Sequence, residues 1–174
     1  MFRDVLLKAG SSPMRAYIRL MDAVSRLCGI VAMALLAAAV FVVCYMIFVR
    51  YVLGHSTIWQ TEFTIYALMA ATFIGSPYVL MLRGHVGVDL LPLALPERGR
   101  IVLEVVAGLL GLAFCMLLAY ASWIYFHEAW AGGWRTDTVW APPLWIPVAP
   151  LPLGAGLLCL QYVAELMKLN GARQ

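Results

Sequence analysis

The sequence predicts an all-α membrane protein: four transmembrane helices, both termini cytoplasmic, an N-terminal amphipathic helix, and a short interfacial segment between spans two and three. Three observations carry this. The 174 residues are 64% hydrophobic and only 12% charged, about half the charge of an ordinary soluble domain. Four uncharged runs, at 27–49, 63–82, 105–126 and roughly 144–164, each reach the length of about 20 residues needed to cross some 30 Å of hydrocarbon. Ten of the twelve Lys and Arg fall on one side of those runs, leaving Arg50 and Arg135 on the other. The positive-inside bias therefore places both ends of the chain in the cytoplasm. The net charge of +3 records this bias and does not point to nucleic acid.

The chain divides into a cytoplasmic N-terminal segment at 1–26, a four-helix transmembrane domain at 27–167 and a cytoplasmic tail at 168–174. Ser12 and Pro13 form a helix-start signal. Beyond them Arg15, Arg19, Asp22 and Arg26 share one face at spacings of four, three and four, with Met14, Tyr17, Ile18, Met21 and Val24 opposite. Two placements are open for this basic face: lying on the lipid surface or a partner there, or extending the first span into solvent. The apolar run starts too late and runs too long for a cleaved signal peptide. Within the first span, Gly29, Ala32, Ala34 and Ala37 to Ala39 permit close helix packing.

The second span holds Gly75-Ser76-Pro77, where the missing proline amide loosens or kinks the helix. The stretch after Arg83 is too short to cross and too apolar to float free. It is expected along the cytoplasmic interface, with Pro96-Glu97 opening the third helix. That helix carries Ala107, Gly111, Cys115 and Ala119 at steps of four, a small-residue contact stripe. The fourth span begins in a proline cluster, Pro142, Pro143, Pro147, Pro150 and Pro152. Its start is expected to be irregular, with regular helix from about Leu153.

All six tryptophans, Trp59, Trp123, Trp130, Trp134, Trp140 and Trp145, fall at the outer side. Interfacial anchoring explains them. A second reading is a docking surface for another protein, centred on Trp130, Trp134, Arg135 and Trp140. Cys28, Cys44, Cys115 and Cys159 are isolated and read as buried free thiols rather than as a disulfide framework.

No charge occupies the middle of a span, which argues against a self-sufficient carrier. His55, His85 and His127 lie at span ends, where they cannot serve as axial haem ligands inside the bilayer. Metal-cluster spacing, a nucleophile constellation and a phosphate loop are missing from the sequence, so no cofactor and no enzyme activity is expected. Arg50 and Glu62 both stand at the outer interface. They either pair with each other or face a partner helix.

The order Arg50-Tyr51, Trp59-Gln60-Thr61-Glu62, Gly75, Arg83-Gly84-His85-Val86, Asp89 and Pro152-Leu153-Gly154 resembles the small membrane subunit of tripartite ATP-independent periplasmic (TRAP) transporters, the DctQ-like family. The similarity covers roughly 27–166. Where that family often has a small hydroxyl residue followed by a second acid, this chain has Gln60-Thr61, leaving Glu62 as the sole acid there. The resemblance implies a system in the bacterial or archaeal cytoplasmic (inner) membrane with two partners: a large membrane subunit that moves substrate and a periplasmic substrate-binding protein. It implies sodium-gradient-driven import of an organic acid, with this chain as scaffold in the lipid bilayer. It also implies that Arg50, Trp59, Glu62, Arg83, His85 and Asp89 form a partner-subunit or structural interface. The competing class is a four-helix anchor of a quinone-linked redox complex.

Overall fold

The computed structural model describes residues 12–82, 97–138 and 141–171. Its elements are α1 (Ser12–Val52), α2 (Ile58–Met81), α3 (Glu97–Ala131), a single turn α4 (Trp145–Val148) and α5 (Pro150–Gly171). Four helices are long and apolar enough to cross a membrane. The interfacial segment expected after Arg83 lies outside the described residues.

No break separates the basic N-terminal stretch from the first span. They form one helix of 41 residues, about 60 Å long and twice the hydrocarbon thickness. The third helix is described over Glu97–Ala131, and the residues before Glu97, including Pro96, lie outside the described residues. The proline cluster is more ordered than the sequence implied. Pro147 sits in α4, and Pro150 and Pro152 fall in the first turn of α5, where a missing amide proton leaves no bond unmade.

α1 and α2 run antiparallel, with Gly29 against the Tyr78 ring and Gly75 against Ala32. α3 runs antiparallel to α5, with Gly108 against Leu166 and Gly111 against Tyr162. α5 packs on α1, α2 and α3, whereas α3 depends mainly on α5. Both described chain ends therefore share one end of the bundle, here the terminal end, and residues 53–57, 132–138 and 141–149 form the loop end. Leu80, Cys115 and Leu158 make a small buried cluster that joins α2, α3 and α5.

Burial redraws two of the expected faces. On α3 the buried line runs through Cys115, Ser122 and Ala129, and Ala107 is exposed. The inward face follows the 3.6-residue period, so a strict four-residue stripe drifts off it. On α1, Ala32 and Ala39 are buried while Ala34 and Ala37 face outward. All four cysteines are free, but Cys44 is exposed, contrary to the expectation that every thiol is buried.

The α2–α5 crossing is the tightest contact. Pro77 cannot donate to the Phe73 carbonyl four residues earlier, yet α2 continues unbroken to Met81. Ser76 supplies the missing donor, its Oγ bonding to the Phe73 oxygen at 2.8 Å. Gly154 of α5 lies directly over the same carbonyl, so close that a Cβ at that position would collide with it. The Gly75-Ser76-Pro77 cluster and Pro152-Leu153-Gly154 thus meet at one backbone atom.

Gly154→Val is expected to lower stability by about 1–3 kcal/mol, the usual cost of overpacking. Gly156→Val should cost less, because nothing lies within reach of a Cβ there. Thermal unfolding in mild detergent checks this, and equal losses at the two positions would contradict the close crossing.

Candidate functional site

Polar side chains gather at the two ends of the bundle. At the loop end, α1 and α3 both stop on a glycine in the left-handed region, Gly54 (φ +65) and Gly133 (φ +58), a conformation that glycine adopts without side-chain strain. After Gly133 the amide of Trp134 bonds back to Ala129 O and that of Gly133 to Trp130 O, closing the helix end. The chain then folds into a short hairpin-like loop. It is held by an isolated bridge between Arg135 and Pro143 and by Thr136 N to Pro142 O at 3.2 Å and Leu144 N to Trp134 O at 2.8 Å.

This loop reaches across to α2. Glu62 is buried, and its Oε2 accepts a hydrogen bond from Thr138 Oγ1 at 2.9 Å. Thr138 Oγ1 also meets Thr136 Oγ1 at 3.0 Å. Arg50 is exposed and makes no ion pair with Glu62. The carboxylate that the sequence left between two partners is therefore tied to its own chain. Trp59 is half exposed. With the Gln60 amide oriented to satisfy both of its neighbours, Trp59 Nε1 donates to the Gln60 oxygen at 3.3 Å, and the Gln60 nitrogen donates to Thr57 O at 3.2 Å. Thr61 bonds to Thr57 O at 3.1 Å and approaches the Met46 sulfur of α1 at 3.4 Å. The structure thus brings Trp59 and Glu62 to one end of α2 beside the loop and leaves Arg50 outside that network.

Aromatic rings cover the outer part of α3. Trp123, Phe126 and Trp130 follow one another with centroids 6.0 and 6.2 Å apart, and Trp130 meets Trp145 edge-on at 4.8 Å. Trp130, Trp134 and Arg135 are all exposed at this end. Arg83, His85, Asp89 and Trp140 lie outside the described residues. His55 and His127 are exposed at the loop end.

The second polar site, at the terminal end, is one that sequence reasoning missed. Gln161 of α5 is fully buried, and Asp22 and Ser25 of α1 are buried beside it. Ser25 Oγ donates to Gln161 Oε1 at 2.8 Å. Gln161 Nε2 donates to Asp22 Oδ1 at 3.3 Å and to Glu165 Oε1 at 3.1 Å. Lys168 Nζ closes the circuit with ion pairs of 2.7 Å to both carboxylates. Tyr17 adds a hydroxyl bond to Leu160 O at 3.0 Å. Among the described residues, no buried side-chain nitrogen or oxygen lacks a partner.

Asp22 is a correction. The sequence grouped it with Arg15, Arg19 and Arg26, but it turns inward while Arg19 and Arg26 stay exposed and Arg15 is half-buried. It stands at the edge of that face, where Lys168, a half-buried cation one helix away, decides its side. The available signal was on α5: Gln161, Glu165 and Lys168 at spacings of four and three in an otherwise apolar helix.

The family model described as "Tripartite ATP-independent periplasmic transporters, DctQ component" matches residues 39–170. The chain is also similar to the C4-dicarboxylate TRAP transporter small permease protein DctQ of Vibrio cholerae serotype O1. That similarity is 28% identity over 141 residues, covering 67% of this chain and 60% of the relative. The chain thus matches about three fifths of the relative's length. Neither comparison supports a quinone-linked redox anchor.

Two outcomes test the polar sites. Thr138→Val removes the donor facing a buried carboxylate, a loss of about 1–3 kcal/mol. Limited proteolysis of the loop should quicken in this variant and not in Thr64→Val, whose hydroxyl bonds only within its own helix. At the other end, Lys168→Met leaves two acids uncompensated and should cost about 3–5 kcal/mol. Adding Asp22→Asn and Glu165→Gln to Lys168→Met should restore much of that loss in thermal unfolding, because no buried charge is then unpaired.

Proposed function

Because the chain belongs to the DctQ component family of tripartite ATP-independent periplasmic transporters, we propose that it works as the small membrane subunit of such a transporter. In this reading it is a scaffold beside a large subunit that moves an organic acid under a sodium gradient. A periplasmic binding protein delivers the substrate. The similar Vibrio protein is named for C4-dicarboxylates, which makes these the first substrate class to try.

The observation that carries the scaffold role is the distribution of polar groups. A carrier needs a polar site near mid-membrane that can be reached from either face. The polar clusters here sit at the two ends, and each is satisfied within the chain. Between them the helices approach through Gly29, Gly75, Gly111 and Gly154. That packing favours a static element.

In this reading the terminal end faces the cytoplasm, by the bias of Lys and Arg, and the tryptophan-rich loop end faces the periplasm. The membrane is the bacterial or archaeal inner membrane. Exposed Arg50 and Trp59 are assigned to contact with the large subunit, and Arg83, His85 and Asp89 are assigned there by resemblance. Glu62 acts on that contact indirectly, by fixing the loop. Trp130, Trp134, Arg135 and Trp140 are assigned to receiving the binding protein.

Affinity purification of the chain from its native membrane, followed by mass spectrometry, tests this reading. A stoichiometric, larger polytopic membrane protein is expected, and Arg50→Glu should reduce its recovery while leaving the thermal stability of the chain unchanged. Recovery of the chain alone, or with a redox enzyme, would overturn the proposal.

A further inference from the structure

The outward face of α1 at the terminal end changes character abruptly along its length. Arg19 and Arg26 are exposed seven residues apart, two turns of one helix face and about 10 Å along the axis. Directly below them the same face presents Ile30, Met33 and Phe41, at 58%, 55% and 74% exposure. The acid between the two arginines, Asp22, points the other way and is held by Lys168 at 2.7 Å. Among the described residues, the exposed face therefore carries two guanidinium groups, with the carboxylate between them turned away from it. Arg15, one turn further out, is half-buried and has an interaction of its own.

We propose that the Arg19 and Arg26 face of α1 seats the phosphate headgroup of an anionic phospholipid whose acyl chains lie along Ile30 and Met33. The charge and the depth both fit that occupant. The uncharged run begins at Leu27, one residue past Arg26, which puts Arg26 at the headgroup boundary when the run fills the hydrocarbon and Arg19 about 10 Å further out along the same face. Guanidinium forks match phosphate oxygens in paired hydrogen bonds, and the apolar stripe below offers a wall for the chains. An acidic peptide would satisfy the arginines and leave that wall without purpose. The family match begins at residue 39, so Arg19, Arg26, Ile30 and Met33 lie outside it, and the inference stands apart from the transporter reading.

The test measures the thermal shift of the chain, extracted in mild detergent with any accompanying subunits, on addition of phosphatidylglycerol, phosphatidylcholine or inorganic phosphate. Phosphatidylglycerol should stabilise, and the other two should not. In the variant Arg19→Gln with Arg26→Gln, the apparent affinity for phosphatidylglycerol should fall about thirtyfold, while His127→Gln at the opposite end leaves it unchanged. High salt should erase the shift in the unaltered chain, a readout that needs no variant to fold. An equal shift with phosphatidylcholine, a shift with inorganic phosphate alone, an undiminished shift in the double variant, or indifference to salt would each overturn the proposal. So would protection of the arginines by an accompanying subunit in place of lipid.

Discussion

The structure depends on one close approach, the backbone of α5 at Gly154 against the Phe73 carbonyl of α2. That oxygen is available because Pro77 cannot donate to it, and it does not break α2 because Ser76 does. Any side chain at position 154 would push the two helices apart. Since α3 packs mainly on α5 and α1 packs mainly on α2, the α2–α5 crossing fixes how the two helix pairs meet. An apolar bundle in lipid has no hydrophobic drive between its helices, so close packing and polar contacts must hold it.

Polar contacts then act as clamps at the two ends of this crossing. The Lys168 network ties α5 to α1 at the terminal end, and Thr138 on Glu62 ties the loop to α2 at the other. Each clamp uses a group that would be costly near lipid if left alone, which makes the bundle intolerant of partial opening. Such a body resists the rearrangement that alternating access requires. In the proposed assembly that resistance is useful, because a moving subunit needs a fixed one to move against.

Much of the fold was legible in the sequence. The four uncharged runs gave the spans, and the described tryptophans, Trp59, Trp123, Trp130, Trp134 and Trp145, gather toward the loop end as the sequence grouped them. Faces were harder to read. Asp22 was grouped with the arginines because spacing alone assigned it, whereas its side is decided by Gln161 and Lys168, more than 130 positions away. The fate of Glu62 was hidden for the same reason, since its partner Thr138 sits in a loop whose path no periodicity encodes. Cys44 shows a further limit: on a lipid-facing helix an apolar residue need not be buried, so hydrophobicity stops reporting the inward direction. The N-terminal helix and the first span read as separate units because composition changes at Leu27, although backbone hydrogen bonding continues through that point.

The most direct measurement of the central claim is uptake into proteoliposomes under an inward sodium gradient, with radiolabelled C4-dicarboxylate as the first substrate and purified components added separately. The account predicts no uptake by this chain alone, and uptake when the large subunit and the binding protein are present with it. Uptake by the chain alone would contradict the scaffold assignment, and full activity of the other two components without it would contradict its place in the transporter.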